Sequence, residues 1–156
     1  MNKKFIGLFI IFFVAILAMG SVGAAKLENH NFDDYFWMKV PKDTTFQKQN
    51  ESIDESGFNQ TSLLYASNDL VVMYFDSIMI SENSSTWFSQ TIFESTYMDL
   101  NECYETQEGN LLILEPKKID ETHFPMVVVS SGNKNVMLVG NDLDLLEDMA
   151  HTVEFK

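Results

Sequence analysis

The chain has 156 residues, 46% hydrophobic and 21% charged, with 23 acidic residues against 10 lysines, no arginine and a net charge of −13. That length suits one domain with a sizeable core, and the composition fits neither a disordered nor a fibrous protein. So acidic a surface, lacking any arginine to clamp a phosphate, excludes nucleic-acid binding and disfavours docking of the globular part on anionic lipid.

Lys3 and Lys4 open the chain, ahead of an apolar run from Phe5 to Met19 and the small residues Gly20 to Ala25. This is the layout of a signal peptide over residues 1–25, cleaved before Lys26; Val22 and Ala24 give a second register. The uncharged stretch Phe5 to Ala25 is also long enough for an uncleaved N-terminal membrane anchor. Both readings place the remainder outside the cytoplasmic membrane, in the cell envelope or extracellular space, because the basic residues stay inside.

Residues 26–34 (KLENHNFDD) read as a polar lead-in, and residues 35–156 as a single globular domain. Tyr35 to Val40 alternates as a strand should and ends at Pro41. Asp43 to Thr61 is polar and reads mostly as loop. Ser62 to Ala66 and Leu70 to Met79 form two strands across Ser67-Asn68-Asp69. A helix is predicted over Thr86 to Asp99, N-capped within Ser84 to Thr86, from the spacing of Phe88, Ile92, Phe93 and Tyr97. Glu102 to Thr106 and Leu111 to Leu114 read as strands about Glu108-Gly109-Asn110. Phe124 to Ser130 and Asn135 to Val139 follow, turned by Ser131 to Lys134. The last helix spans Asp142 to His151, with Asn141 or Asp142 as N-cap and a stripe of Leu143, Leu146, Ala150 and Val153. Thr152 to Phe155 is expected to return to a sheet edge.

This order is α+β, with a largely antiparallel sheet. Leu70 to Phe75, Met126 to Val129 and Val136 to Val139 are apolar at every position, so they require cover on both faces. Two helices, Thr86–Asp99 and Asp142–His151, are expected on opposite faces, making a three-layer sandwich. The segment Asp43 to Thr61 is expected to help cover what remains.

Motifs that carry chemistry are scarce. The sequence has no G-x-S-x-G, H-E-x-x-H, C-x-x-C or glycine-rich phosphate loop. The one cysteine, Cys103, cannot bridge internally and reads as a small buried hydrophobe. His30, His123 and His151 are far apart in sequence, and nothing local joins them to Cys103 as a triad. Asn141-Asp142-Leu143-Asp144 opens like a calcium loop, but Leu146 and Glu147 stand where a ligand and a glycine belong. Those acids suit a helix N-terminus instead. Asn29 to Asp34 is rich in oxygen ligands yet lies in the lead-in, where a solvated tether is the simpler reading. Glu94, Glu102, Glu105 and Glu108 offer carboxylates without a defined separation. Tyr35, Trp37 and Trp87 either stack on a sugar or peptide or fill the core, the latter being commoner in small domains. Asn50, Asn59 and Asn83 head N-x-[ST] sequons in stretches read as loops, and are possible glycosylation sites. No catalytic, cofactor-binding or metal-ligating residue is assigned.

Three features resemble a known layout: Phe36 to Asp43 closing on proline, the paired central strands, and the ending Leu143 to Phe155. Together they resemble the small exported domains related to the PsbP family of photosystem II extrinsic proteins, over residues 32 to 156. The resemblance implies an antiparallel sheet sandwiched by helices, with Thr152-Val153-Glu154-Phe155 matching the family's S-x-x-F type ending. It implies a non-enzymatic, partner-binding protein and carries no site residue across. The expected function is that of an exported, non-catalytic domain acting through protein or glycan contacts, as a monomer. A small-ligand or cation binder, and a hydrolase with an unrecognised site, are the alternatives.

Overall fold

The computed structural model describes residues 26–54, 60–77, 102–118 and 123–156. The expected leader, the sequons at Asn59 and Asn83, the helix expected over Thr86–Asp99, Trp87 and Glu94 lie outside the described residues. What is described is mostly antiparallel sheet with one helix. The strands are β1 (Leu27–Phe32), β2 (Phe36–Pro41), β3 (Gln47–Asp54), β4 (Gln60–Ala66) and β5 (Leu70–Ser77). They continue as β6 (Cys103–Glu108), β7 (Leu111–Pro116), β8 (Met126–Ser131) and β9 (Lys134–Gly140). Helix α1 (Leu143–Ala150) and a short β10 (Glu154–Phe155) complete the order.

Seven strands form one sheet in the order β3-β4-β5-β9-β8-β7-β6, and β1-β2-β10 form a second. The turns follow local chemistry. Gly132 and Asn133 join β8 to β9 through the pair Ser131 and Lys134, and Gly132 takes φ +59°, open to glycine without steric cost. Register then aligns Tyr65, Val72, Leu138, Val127 and Ile113 in one row across the large sheet. The next row, Leu64, Met73, Met137, Val128 and Leu112, points to the other face.

Both faces are buried. The first meets Phe32, Phe36, Met38 and Val40 from the small sheet and Leu145, Leu146, Met149 and Ala150 from α1. The second gathers Val71, Met73, Phe75, Leu112, Leu114, Met126, Val128, Met137 and Val139, with Cys103 and Phe124 beside them. Asp142 caps α1, its side chain accepting a hydrogen bond from Leu145 N–H at 3.1 Å, and Asp144 occupies the first turn.

The two-helix, three-layer sandwich is therefore corrected to a mostly antiparallel β architecture with one helix among the described residues. An apolar run demands cover but does not say whether helix or strand supplies it. On the first face much of the cover is a sheet, one strand of which comes from the presumed lead-in. Leu27–Phe32 pairs along its whole length with β2, and buries Phe32 in stacked contact with Phe36, ring centroids 4.5 Å apart. Asp43 to Thr61 is likewise not mostly loop: it holds β3, an edge strand with a bulge between Lys48 and Asn50. Asn50 thus sits on a strand.

Candidate functional site

Among the described residues, the small sheet keeps one face open. In β2, Phe36, Met38 and Val40 point to the core, so Trp37 and Lys39 point outward. Register sets Asn31 opposite Trp37 and Asn29 opposite Lys39 on one side, and Glu154 opposite Trp37 on the other. Trp37 is 39% exposed, one of few large hydrophobic side chains so placed among the described residues.

β10 is too short to accompany β2 to its end. Beyond it, the Lys39 N–H donates to Thr152 Oγ1 at 2.8 Å, and the Thr152 hydroxyl donates to the Met149 carbonyl at 2.7 Å. One threonine thus ties the end of α1 to β2 and holds His151 beside the sheet. Between them lies an open cleft of about 430 Å³, lined by Asn29, Trp37, Met38, Lys39, His151, Thr152 and Glu154.

One face of the Trp37 ring is covered by charge. Lys156 Nζ lies 4.7 Å from the Trp37 ring centroid and 2.6 Å from Asp34 Oδ1. The Asp34 carboxylate also accepts from Asn31 Nδ2 at 2.9 Å. Lys156 first, and Asn31 after it, hold that carboxyl below its ordinary pKa. Asp33 and Asp34 both take positive φ in the β1–β2 turn. Asp33 pairs with Lys48 at 2.8 Å and accepts from Tyr65 Oη at 3.1 Å; the Lys48 contact chiefly lowers its pKa. Burial, with the Asp33 hydrogen bond second, pushes the Tyr65 phenol up.

The remaining sequence candidates do not converge. The Asn29–Asp34 stretch divides between sheet face and turn, its aspartates paired with lysines. Among the described residues no three His, Cys, Asp or Glu side chains are grouped to hold a metal ion. Cys103 is buried at 7% exposure. His123 Nε2 lies 3.5 Å from Glu102 Oε2, whereas Glu105 and Glu108 stand exposed on β6. His30 packs against Phe32 and Phe46, away from His151. Trp37 was weighed as core and is a surface platform. Its strict alternation with Phe36 and Met38 was the available signal. Asn29, His151 and Glu154 carried no local signal, because only the pairing of β1 and β10 with β2 brings them there.

No family model matches the chain, and a comparison with curated proteins finds no match. Among solved structures the chain is similar to cyanobacterial PsbP (CyanoP) from Synechocystis sp. PCC 6803, at a TM-score of 0.43 and 13% identity. The match covers 89% of this chain and 98% of that one. The PsbP resemblance seen in the sequence is found again there.

Proposed function

We propose that this is an exported, non-catalytic domain of the cell envelope or extracellular space that binds a glycan in the cleft beside Trp37. The observation that carries the reading is the exposed Trp37 ring on a paired strand, with hydrogen-bonding side chains on three sides. A pyranose presents an apolar C–H face and an equatorial rim of hydroxyls. An indole can take the first, and Asn29, His151, Lys39 and Glu154 can take the second. Because Trp37 sits between β1 and β10, little conformational freedom is lost on binding. Glu154 is the one carboxylate lining the cleft, whereas glycoside hydrolysis ordinarily uses two, which supports binding over cleavage. The leader of residues 1–25 supports export.

Protein produced from its full coding sequence should retain at least one member of a broad oligosaccharide array. Trp37→Ala should weaken that binding about tenfold or more, the worth of one aromatic stacking contact in a partly desolvated cleft. An array without a single ligand, or a Trp37→Ala protein that binds undiminished, overturns the reading.

A further inference from the structure

We propose that the cleft selects an anionic sugar of the uronic acid class, its carboxylate received by Lys39 while its ring lies on Trp37. This rests on the glycan reading and names the ligand's chemistry. The lysines are unevenly placed for a chain of net charge −13. Lys26, Lys39 and Lys42 lie on or flank β1 and β2, with a Lys42 N–H to Lys26 carbonyl bond of 2.8 Å joining that end. Lys48 and Lys156 reach the β1–β2 turn, and Lys134 donates to the Lys156 carbonyl. Lys48 and Lys134 stem from β3 and β9 of the large sheet, and Lys117 and Lys118 lie elsewhere among the described residues. The small sheet and its turn also carry Glu28, Asp33, Asp34 and Glu154, so it is the place of Lys39 in the cleft, and not a basic face, that suits an anion.

Within that set the roles differ. Lys48 and Lys156 are engaged by Asp33 and Asp34. Lys39 lines the cleft, faces Asn29 across the β1–β2 ladder, and stands two residues from Trp37 on the same face. Its backbone is fixed by Thr152, so its stem starts from a set position. A sugar carboxylate at the Lys39–Asn29 end would meet an ammonium and an amide. Glu154, across from Trp37, would then accept hydroxyls, a job for which an acceptor-only group is suited. An anionic membrane would prefer a convex, uniformly basic patch. Here one lysine, Lys39, and one carboxylate, Glu154, line a concavity, which favours a discrete carboxylate.

The test compares oligogalacturonate, oligoglucuronate and mannuronate oligomers with the same oligomers after reduction of their carboxyl groups. The full-length protein is used by calorimetry in calcium-free buffer. The acidic forms should bind about tenfold more tightly than the reduced forms, as expected for one charge-assisted hydrogen bond, and the advantage should shrink with added salt. Lys39→Gln should erase the advantage with unchanged melting temperature, and Lys39→Arg should keep most of it. Equal affinity for acidic and reduced oligomers overturns the inference and leaves the glycan reading standing. Absence of binding to acidic, reduced and neutral sugars alike overturns both. Lys39-dependent binding to vesicles of 30% phosphatidylglycerol in phosphatidylcholine, without oligomer binding, assigns the surface to lipid and overturns both.

Discussion

The two sheets of this protein use the same residue types in opposite ways. In the large sheet, β5, β7, β8 and β9 present apolar side chains to both faces, and rows such as Val72, Leu138 and Val127 are entirely buried. In the small sheet, β2 alternates, with Phe36, Met38 and Val40 buried and Trp37 and Lys39 exposed. A strand buried on both sides contributes stability and offers nothing to a ligand. A strand with one wet face must still answer for every exposed side chain, and an exposed tryptophan there is the costlier choice unless it is used. The difference locates the candidate site.

That contrast can be broken most directly with a pair of truncations. Leu138→Ala removes buried methyl groups from the middle of the large sheet and should cost about 2–5 kcal/mol, through lost transfer energy and the cavity left behind. Trp37→Ala should cost about 1 kcal/mol or less, because the ring is partly exposed and loses chiefly its contact with Lys156. Urea denaturation of both variants checks the ordering. A Trp37→Ala protein as unstable as Leu138→Ala would make the tryptophan a core residue and the contrast void.

The sequence is legible where burial dictates pattern and silent where pairing does. The central strands and the hairpins at Gly109 and Gly132 followed from apolar runs and turn residues. Helix α1 also formed as expected, with Asp142 as its cap. β1 and β3 were missed for one physical reason: each is polar on a face that meets water, and gives its core little beyond Phe32 or nothing apolar in period. Gln47 to Asp54 is an edge strand, whose polarity protects its unpaired backbone from other chains and disguises it as loop. Of the second sheet, β2 and the return of the chain to a sheet edge at β10 were read and β1 was not. Its forming a separate layer thus went unseen, and a helix alone was expected where a sheet forms part of the cover. The cleft inherits this blindness, since Asn29 and Glu154 come beside Trp37 only through the pairing of β1 and β10 with β2.

A milder perturbation sharpens the comparison by acting at the seam between helix and small sheet. Thr152→Val keeps shape but removes the hydroxyl that accepts from Lys39 N–H and donates to the Met149 carbonyl. The loss should be about 1 kcal/mol, the net worth of a partly exposed hydrogen bond plus the cost of a stranded donor. Glycan affinity should fall by more than that stability change alone would cause, because His151 and Lys39 lose their common anchor. Amide exchange at Lys39 is the sharper measurement: it should accelerate in the variant, while exchange at Leu138 stays slow. Equal acceleration at both amides would mean that the two sheets open as one unit.

The smallest effect expected is a pH dependence confined to the small sheet. His30 lies against Phe32 and Phe46, with ring centroids 4.5 Å and 5.5 Å away, and burial lowers its pKa below 6.5 while Asp33 and Glu28 partly oppose that. The folded protein therefore holds His30 neutral where the unfolded chain would already bind a proton. By linkage, its contribution is fully present above pH 6.5 and declines as the pH falls from 6.5 to the folded-state pKa, below which it stays constant. Asp33 and Asp34, whose pKa values are lowered by Lys48 and Lys156, act in the same direction but only nearer pH 4, where their unfolded forms titrate. Between pH 7 and 5 the His30→Gln protein should lose less stability than the unaltered protein. Melting curves across that range, taken on both, give the difference. If the two fall in parallel, His30 meets water freely, and the inner face of β1 is not packed as its contacts with Phe32 and Phe46 require.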